Sequence, residues 1–279
     1  MQVFKDRVAV ITGAGSGIGR AFALHCAAEG MKVVLAGIKT ETLLPVQQAL
    51  EAQGASTLVV QTDVAQPEDV ERLAQQTIDH FGGVHLLFNN AGVTTLGYMW
   101  EHTLEDWEWV MGVNIRGVIH GIKYFVPIML EQNTEAHIIN NASFMAFAAA
   151  YNLGSIYAMT KRAVVSLSES LYYELAHVNP QIKVSVLAAS YVKSDIMQAG
   201  RNRPEILKND AEQTGPEIDR MRQMRLDSHR HAMPVDQFID LTFDAIRADK
   251  LYIFSHPELM PILEDYFDNV LAARNPKTP

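Results

Sequence analysis

Short apolar runs rich in Val, Ile and Leu recur along this chain, each followed by a longer stretch with helical periodicity. The runs at 8–12, 32–36, 57–61, 85–88, 136–140, 182–188 and 251–254 read as strands buried on both faces. The stretches at 18–29, 41–53, 67–81, 104–131, 156–177 and 234–248 read as helices. Strands alternating with helices imply βαβ units, a parallel sheet and right-handed crossovers. The expected fold is α/β: a Rossmann-like, doubly wound parallel sheet in three α/β/α layers. We expect a single domain over residues 1–279. Residues 198–233 break the alternation with many charges and no clear strand. We expect an irregular insertion there, about 190–233, acting as a substrate lid before the last helix and strand.

Hydrophobic residues make up 48% and charged residues 20% of the 279, enough apolar material for a large core. A net charge of −9 argues against nucleic-acid binding, which needs a basic face. The one cysteine, Cys26, allows no intrachain disulfide and no cysteine-cluster zinc site. His229 and His231 lack a third ligand, so no metal site is expected. No stretch approaches the ~20 apolar residues of a membrane span. The expectation is a cytoplasmic protein with neither membrane nor nucleic-acid partners.

The first strand runs into Thr12-Gly13-Ala14-Gly15-Ser16-Gly17-Ile18-Gly19, and a helix follows. Glycines there allow a tight turn and close approach of backbone to a pyrophosphate, which the helix N-terminus favours. The cofactor expected on Gly13, Gly15, Ser16, Gly17, Ile18 and Gly19 is a dinucleotide. NAD sites usually place a carboxylate at the end of the second strand to bind the ribose 2′-OH. Here that strand ends in Gly37, with Lys39 two residues on. Glycine leaves room for a 2′-phosphate and lysine supplies charge, so NADP is expected, with NAD as the alternative. Asp63, ending the third strand before Val64, is placed either to accept a hydrogen bond from adenine or to close its own turn.

Tyr157 and Lys161 lie four apart on a predicted helix and share a face. A free phenol has a pKa near ~10, and a neighbouring ammonium lowers it. Tyr157 can then give a proton to a developing alkoxide or take one from an alcohol. Ser143, after the fifth strand, can hold the same oxygen. The glycine turn, Asn89-Asn90-Ala91-Gly92, Val113-Asn114-Ile115, Ser143 and Tyr157-Ala158-Met159-Thr160-Lys161 occur in an order that resembles the short-chain dehydrogenase/reductase family. The resemblance is close over residues 3–195 and looser beyond. It implies hydride transfer, with Asn114, Ser143, Tyr157 and Lys161 catalytic and Asn114 holding a proton-relay water. It also places Asp63, Val64, Asn90, Ala91, Gly92, Tyr157, Lys161, Val192 and Ser194 against the cofactor. The family usually forms homodimers or homotetramers. One segment departs: Ala189-Ser190 stand where the family commonly has Pro-Gly, and Ser194 where it has Thr.

Leu96, Met99, Trp100, Phe144, Met145, Phe147, Tyr151, Tyr191 and Met197 are expected near a substrate cleft beyond the strand ends. Phe144, Met145, Tyr151, Tyr191 and Met197 carry the substrate-binding assignment. Such a wall suits a bulky hydrophobic or aromatic ketone, or the matching secondary alcohol, more than a small acid. Arg201 and Arg203 are read as solvated rather than as an acid clamp. The alternatives are a non-catalytic dinucleotide sensor, which would have no need of Ser143, Tyr157 and Lys161, and a dehalogenase-like lyase, which would have a spoiled glycine turn.

Overall fold

The computed structural model describes residues 1–147, 153–209 and 213–275. Seven strands form one parallel sheet: β1 (Val8–Thr12), β2 (Lys32–Gly37), β3 (Thr57–Gln61), β4 (Leu86–Asn89), β5 (Ala136–Asn141), β6 (Ile182–Ala188) and β7 (Tyr252–Phe254). Their spatial order is β3-β2-β1-β4-β5-β6-β7. The chain winds one way from β1 to β3, then crosses to β4 and winds the other way. That reversal opens a crevice beyond the carboxyl ends of β1 and β4.

Successive side chains on a strand face opposite ways, and here both faces are covered. Ala9, Ile11, Val33, Leu35, Leu86 and Phe88 pack on one face with Phe22 of α1 (Gly17–Ala28) and with Phe238 and Phe243 of α8 (Val235–Arg247). Val8, Val10, Val34, Leu87, Ile138 and Val184 pack on the other. They meet α3 (Pro67–Phe81), α5 (Gly117–Gln132) and α6 (Ser155–Val178). The remaining inter-strand helix, α2 (Thr40–Glu51), follows β2. Pro67 opens α3, and Gly82 closes it at φ +75°, a left-handed position that suits glycine. Among the described residues, no helix is long and apolar enough to cross a membrane.

Two expectations about elements are corrected. The long helix predicted over 104–131 is three pieces: α4 (Leu104–Met111), a π-helical turn (Gly112–Arg116) and α5. A single extra residue in a turn leaves the apolar period almost unchanged, so periodicity does not reveal it. The stretch expected to be irregular contains α7 (Pro216–Arg230), after 3₁₀ turns at Ile196–Asn202 and Glu205–Leu207. Only Ile218 and Met221 of α7 are buried, so its apolar stripe is thin. Pairs Glu217–Arg220, Asp219–Arg222 and Asp227–Arg230, at 2.7, 2.7 and 2.8 Å, line its outer face. A further helix, α9 (Met260–Leu271), follows β7 and buries none of its residues.

The glycine turn is tight because α1 packs back on the loop that precedes it. A Cβ at Gly19 would strike the Gly13 carbonyl and stand 2.6 Å from Asn90 Nδ2. We expect Gly19→Ala to lower unfolding stability in urea by about 1–3 kcal/mol, with a matching fall in thermal midpoint.

Candidate active site

β1 enters the glycine turn through Gly13 at φ +68°, and α1 starts at Gly17, φ +51°. Ser16 is the N-cap of α1 but makes no side-chain capping bond. The first N–H groups of the helix are therefore not engaged by it, which suits an anion there. The crevice is a cleft of about 560 Å³, lined by this turn and by Ser143, Tyr157 and Lys161.

A chain of polar bonds ties the strand ends together beneath the cleft. Thr12 Oγ1 donates to the Phe88 carbonyl (3.1 Å) and accepts from the Asn90 and Ala91 N–H groups (2.9 and 3.1 Å). Asn90 Nδ2 donates to the Thr12 carbonyl (2.8 Å), and Asn141 Nδ2 donates to Asn90 Oδ1 (3.0 Å). Lys161 Nζ then donates to the Asn141 carbonyl at 2.6 Å. Lys161 is 3% exposed, and burial lowers its pKa to about 8. Its ammonium lies 5.6 Å from the centre of the Tyr157 ring.

Asn114, on the π-helical turn, accepts from the Val93 N–H (2.9 Å) and donates to the Val93 carbonyl and Thr160 Oγ1 (3.0 Å each). Its side chain thus links α4–α5 to the β4 loop and to α6. Gly92 lies between it and the lysine: a Cβ there would stand 3.4 Å from Lys161 Nζ and 3.5 Å from Asn114 Oδ1. Ser143 Oγ donates to the Ala189 carbonyl and accepts from the Met145 N–H, both at 3.2 Å. Its one proton can turn toward Tyr157 when a phenolate forms.

Burial raises the Tyr157 pKa, while a hydrogen bond from Ser143 and the charge of Arg225 pull it down. Arg225, on α7, has no counterpart in the reading of the sequence.

Of the predicted cofactor residues, Gly13, Ser16, Gly17, Ile18, Gly19, Gly37, Asp63, Val64, Asn90, Ala91, Gly92, Val192 and Ser194 all line the cleft. Gly15 and Lys39 do not. Gly15 instead lets α2 approach, since a Cβ there would strike Thr42 Oγ1. Lys39 Nζ donates to the Arg201 carbonyl at 2.7 Å. Asp63 serves its own turn, Oδ1 accepting from the Ala65 N–H (3.0 Å), while it also lines the cleft. Phe144, Met145, Tyr191 and Met197 line the cleft, and Tyr151 lies outside the described residues.

Met99 and Trp100 are exposed, at 53% and 78%, and Phe147 is buried against Tyr252 and Phe254 instead. Leu96 packs beside Leu153 and Ile218. Arg203 is not solvated: it pairs with buried Asp106 at 2.6 Å and lies over the Trp109 ring. That ion pair and bonds from His102, Asn209 and the Thr103 N–H hold the Asp106 carboxyl far below the ordinary carboxylate range, against the opposing effect of burial. Arg201 reaches Ser16 Oγ at 3.1 Å and lines the cleft. Residues the sequence reading missed come from the late helices, notably Met221, Met224, Arg225 and Ser228 of α7 and Ile262 of α9.

The segment that departs from Pro-Gly needs no glycine. No residue between 188 and 195 takes a positive φ. The Ser190 N–H donates to Ser255 Oγ (2.9 Å), and the Met233 N–H donates to the Tyr191 carbonyl (2.8 Å). These bonds fix the exit of β6 so that the Ala189 carbonyl faces Ser143.

The sequence profile described as short chain dehydrogenase matches residues 7–205. The chain is a short-chain dehydrogenase. A short-chain dehydrogenase/reductase from Burkholderia phymatum, solved in complex with NAD, is 41% identical. The match covers 100% of this chain and 99% of that one, with a TM-score of 0.96. A protein of Lactiplantibacillus plantarum named CLA biosynthesis dehydrogenase/reductase is 31% identical over 95% of this chain and 93% of its own. The apo form of LigD from Sphingobium sp. strain SYK-6 is 26% identical, with a TM-score of 0.79 over 98% of this chain and 100% of that one.

As a short-chain dehydrogenase, the protein is an oxidoreductase acting on CH–OH or C=O groups. A Ser143 bond favours the charged phenolate, so its loss raises the Tyr157 pKa. We expect Ser143→Ala to move the ascending limb of the alcohol-oxidation pH profile to higher pH. Tyr157→Phe should lower kcat about 10²–10⁴-fold while cofactor fluorescence titration still shows binding.

Proposed function

We propose that this dehydrogenase transfers hydride between a nicotinamide dinucleotide, preferentially NADP, and a bulky hydrophobic or aromatic ketone or the matching secondary alcohol. The observation that carries the reading is the convergence of Ser143, Tyr157 and Lys161 on one cleft with the glycine turn. The residues suit a dinucleotide: positive-φ Gly13 and Gly17 and the uncapped start of α1 would hold its pyrophosphate. Asp63 and Val64 would meet the adenine end, and Asn90, Ala91, Gly92, Val192 and Ser194 the nicotinamide half. When bound, the nicotinamide supplies or accepts the hydride.

The chain's own residues move the proton. In reduction, Tyr157 gives its phenolic proton to the carbonyl oxygen as that oxygen gains charge, and Ser143 holds the same oxygen by a hydrogen bond. In oxidation, the phenolate takes the alcohol proton. Lys161 steadies charge at the phenol and is itself held by the Asn141 carbonyl. Phe144, Met145, Tyr191, Met197 and Met221 exclude water around the reacting carbon.

The NADP preference rests on the absence of a carboxylate at Gly37 and on Arg201, a cation that lines the cleft and is bonded to a second, Lys39, outside the lining. Lys39 and Arg201 are joined through the Arg201 carbonyl, and Arg201 reaches the glycine turn at Ser16. The Burkholderia phymatum relative was solved with NAD, and the two nucleotides differ by the one phosphate that these cations would meet. A Cβ at Gly37 would stand 3.3 Å from Leu43 Cδ2, a methyl able to give way. Fluorescence titration should show tighter binding of NADPH than of NADH. Gly37→Asp should reverse that order, weakening NADPH about ten-fold or more. Tighter NADH binding by the unmodified chain would overturn the NADP preference, and binding of neither would overturn hydride transfer.

A further inference from the structure

The 3₁₀ turn Ile196–Asn202 bridges two parts of the cleft wall. Met197, Ala199, Arg201 and Asn202 line the cleft. On one side, the Arg201 guanidinium donates to Ser16 Oγ in the glycine turn (3.1 Å), and the Arg201 carbonyl accepts from Lys39 beyond β2 (2.7 Å). On the other, Ala199 packs with Trp109 and Val110 of α4 and with Ile156 of α6. Just past the turn, Asn202, Pro204 and Leu207 enclose a small cavity of about 60 Å³ with Ile38 and Asp63, at the end of the site assigned to adenine. The segment therefore crosses between the walls that would flank a dinucleotide.

This bridge has little apolar support of its own. Ala199 is the one buried residue of the turn, and the next turn, Glu205–Leu207, buries none. One methyl group contributes little hydrophobic stabilisation, so polar contacts decide whether the segment stays in place. The Arg201 side chain is 36% exposed, and contacts there are weakened by water and salt. Arg203 differs: its side chain is 10% exposed and that of its partner Asp106 5%. Arg203 Nη1 donates to Asp106 Oδ1 at 2.6 Å and Nη2 to Asn209 Oδ1 at 2.9 Å, while Nε donates to the Leu207 carbonyl. Asn209 Nδ2 donates to the same Asp106 oxygen at 2.9 Å. The other Asp106 oxygen accepts from the Thr103 N–H (3.1 Å) in the capping box that opens α4. Neither Asp106 nor Arg203 lines the cleft.

We propose that Asp106 and Arg203 are positioning residues, a latch that holds residues 196–202 across the dinucleotide site and so sets how slowly the bound nucleotide leaves. The latch rests on the dinucleotide reading of the cleft. It acts through Met197, Arg201 and Asn202 and not by contact with the cofactor. Removing one partner of a buried ion pair leaves the other charge uncompensated, so the segment must shift to let water reach it.

The test follows release of reduced nucleotide by stopped flow. The protein is loaded with NADPH, or with NADH if that binds more tightly, and mixed with an excess of the matching oxidised nucleotide while cofactor fluorescence is recorded. Arg203→Met breaks the latch and leaves the Thr103–Asp106 cap in place. It should speed release about ten-fold, with the full complement of binding sites still titratable. Arg203→Lys keeps a cation opposite Asp106 but loses the forked contact, so its rate should fall between the two, and it carries the test if the Met variant does not fold. Asp106→Asn should also speed release, and adding Arg203→Met to it should change little more, because both remove one interaction. A role in folding alone would reduce the number of sites and leave the release rate of those remaining unchanged, which would overturn the latch. Effects that simply multiply in the double variant would overturn the pairing of the two residues. Binding of neither nucleotide by the unmodified chain would overturn hydride transfer and the latch together, whereas binding with an unchanged release rate in the variants overturns the latch alone.

Discussion

The hydrogen bond from Lys161 to the Asn141 carbonyl depends on how the parallel strands end. β4 and β5 are in register through Asn89 and Asn140, and β5 and β6 through Asn141 and Leu187. That register brings Thr12, Asn90 and Asn141 side by side beyond the sheet. Asn141 donates to Asn90 and Asn90 to Thr12, so the floor of the cleft is a bonded set rather than three loose loops. Breaking one member leaves buried polar groups without partners, each costing about 1–3 kcal/mol. The ammonium that serves the phenol is thus positioned by the β-sheet itself. A second set of bonds, from Asn114 to Val93 and Thr160, ties the same lysine-bearing helix to the central helix pair.

Above this floor the walls have a different origin. The glycine turn and the β4 loop are short and local, set by backbone that only a few residues can adopt. The substrate walls come from chain far along the sequence. β6 exits through Ala189, whose carbonyl accepts from the Phe144 N–H, and Ser190, whose N–H donates to Ser255 Oγ. α7 then rests on Leu153 and α9 reaches the rim through Ile262. The nucleotide half is built on short, hydrogen-bonded turns, whereas the substrate half is assembled from segments with few buried residues. Chemistry and specificity are carried by separate parts of the structure, which fits a family in which one fold handles many substrates.

Much of this was legible in the residues. Strands such as Thr57–Gln61 and Ile182–Ala188 and the helix Pro67–Phe81 have the bounds that their apolar runs and Pro-Gly punctuation imply. The glycine turn was legible because positive φ and close packing admit little else. Three features were not. The π turn at Gly112–Arg116 shifts the period by too little to see. α7 was hidden because charges on its outer face outnumber the two buried residues that hold it. Arg203 was misread because nothing local marks its partner, Asp106, 97 residues away in sequence. The one available hint of Arg225 was its place on the stripe set by Ile218 and Met221, and that stripe has meaning only once the helix is known.

By itself, the sequence determined the alternation of strands and helices, the phosphate-binding turn, and the spacing of Tyr157 and Lys161 on one helix face. These depend on local rules: backbone conformations open to glycine, side-chain alternation along strands, and the 3.6-residue helical repeat. Tertiary structure alone decided which charge faces the phenol, which arginine is structural and which looks into the cleft, and where the late helices close the wall. Those outcomes depend on contacts between residues distant in sequence, such as Leu153 with Met221 and Asp106 with Arg203. Burial and pairing there change what a side chain can do, and neither is a property of the residue alone.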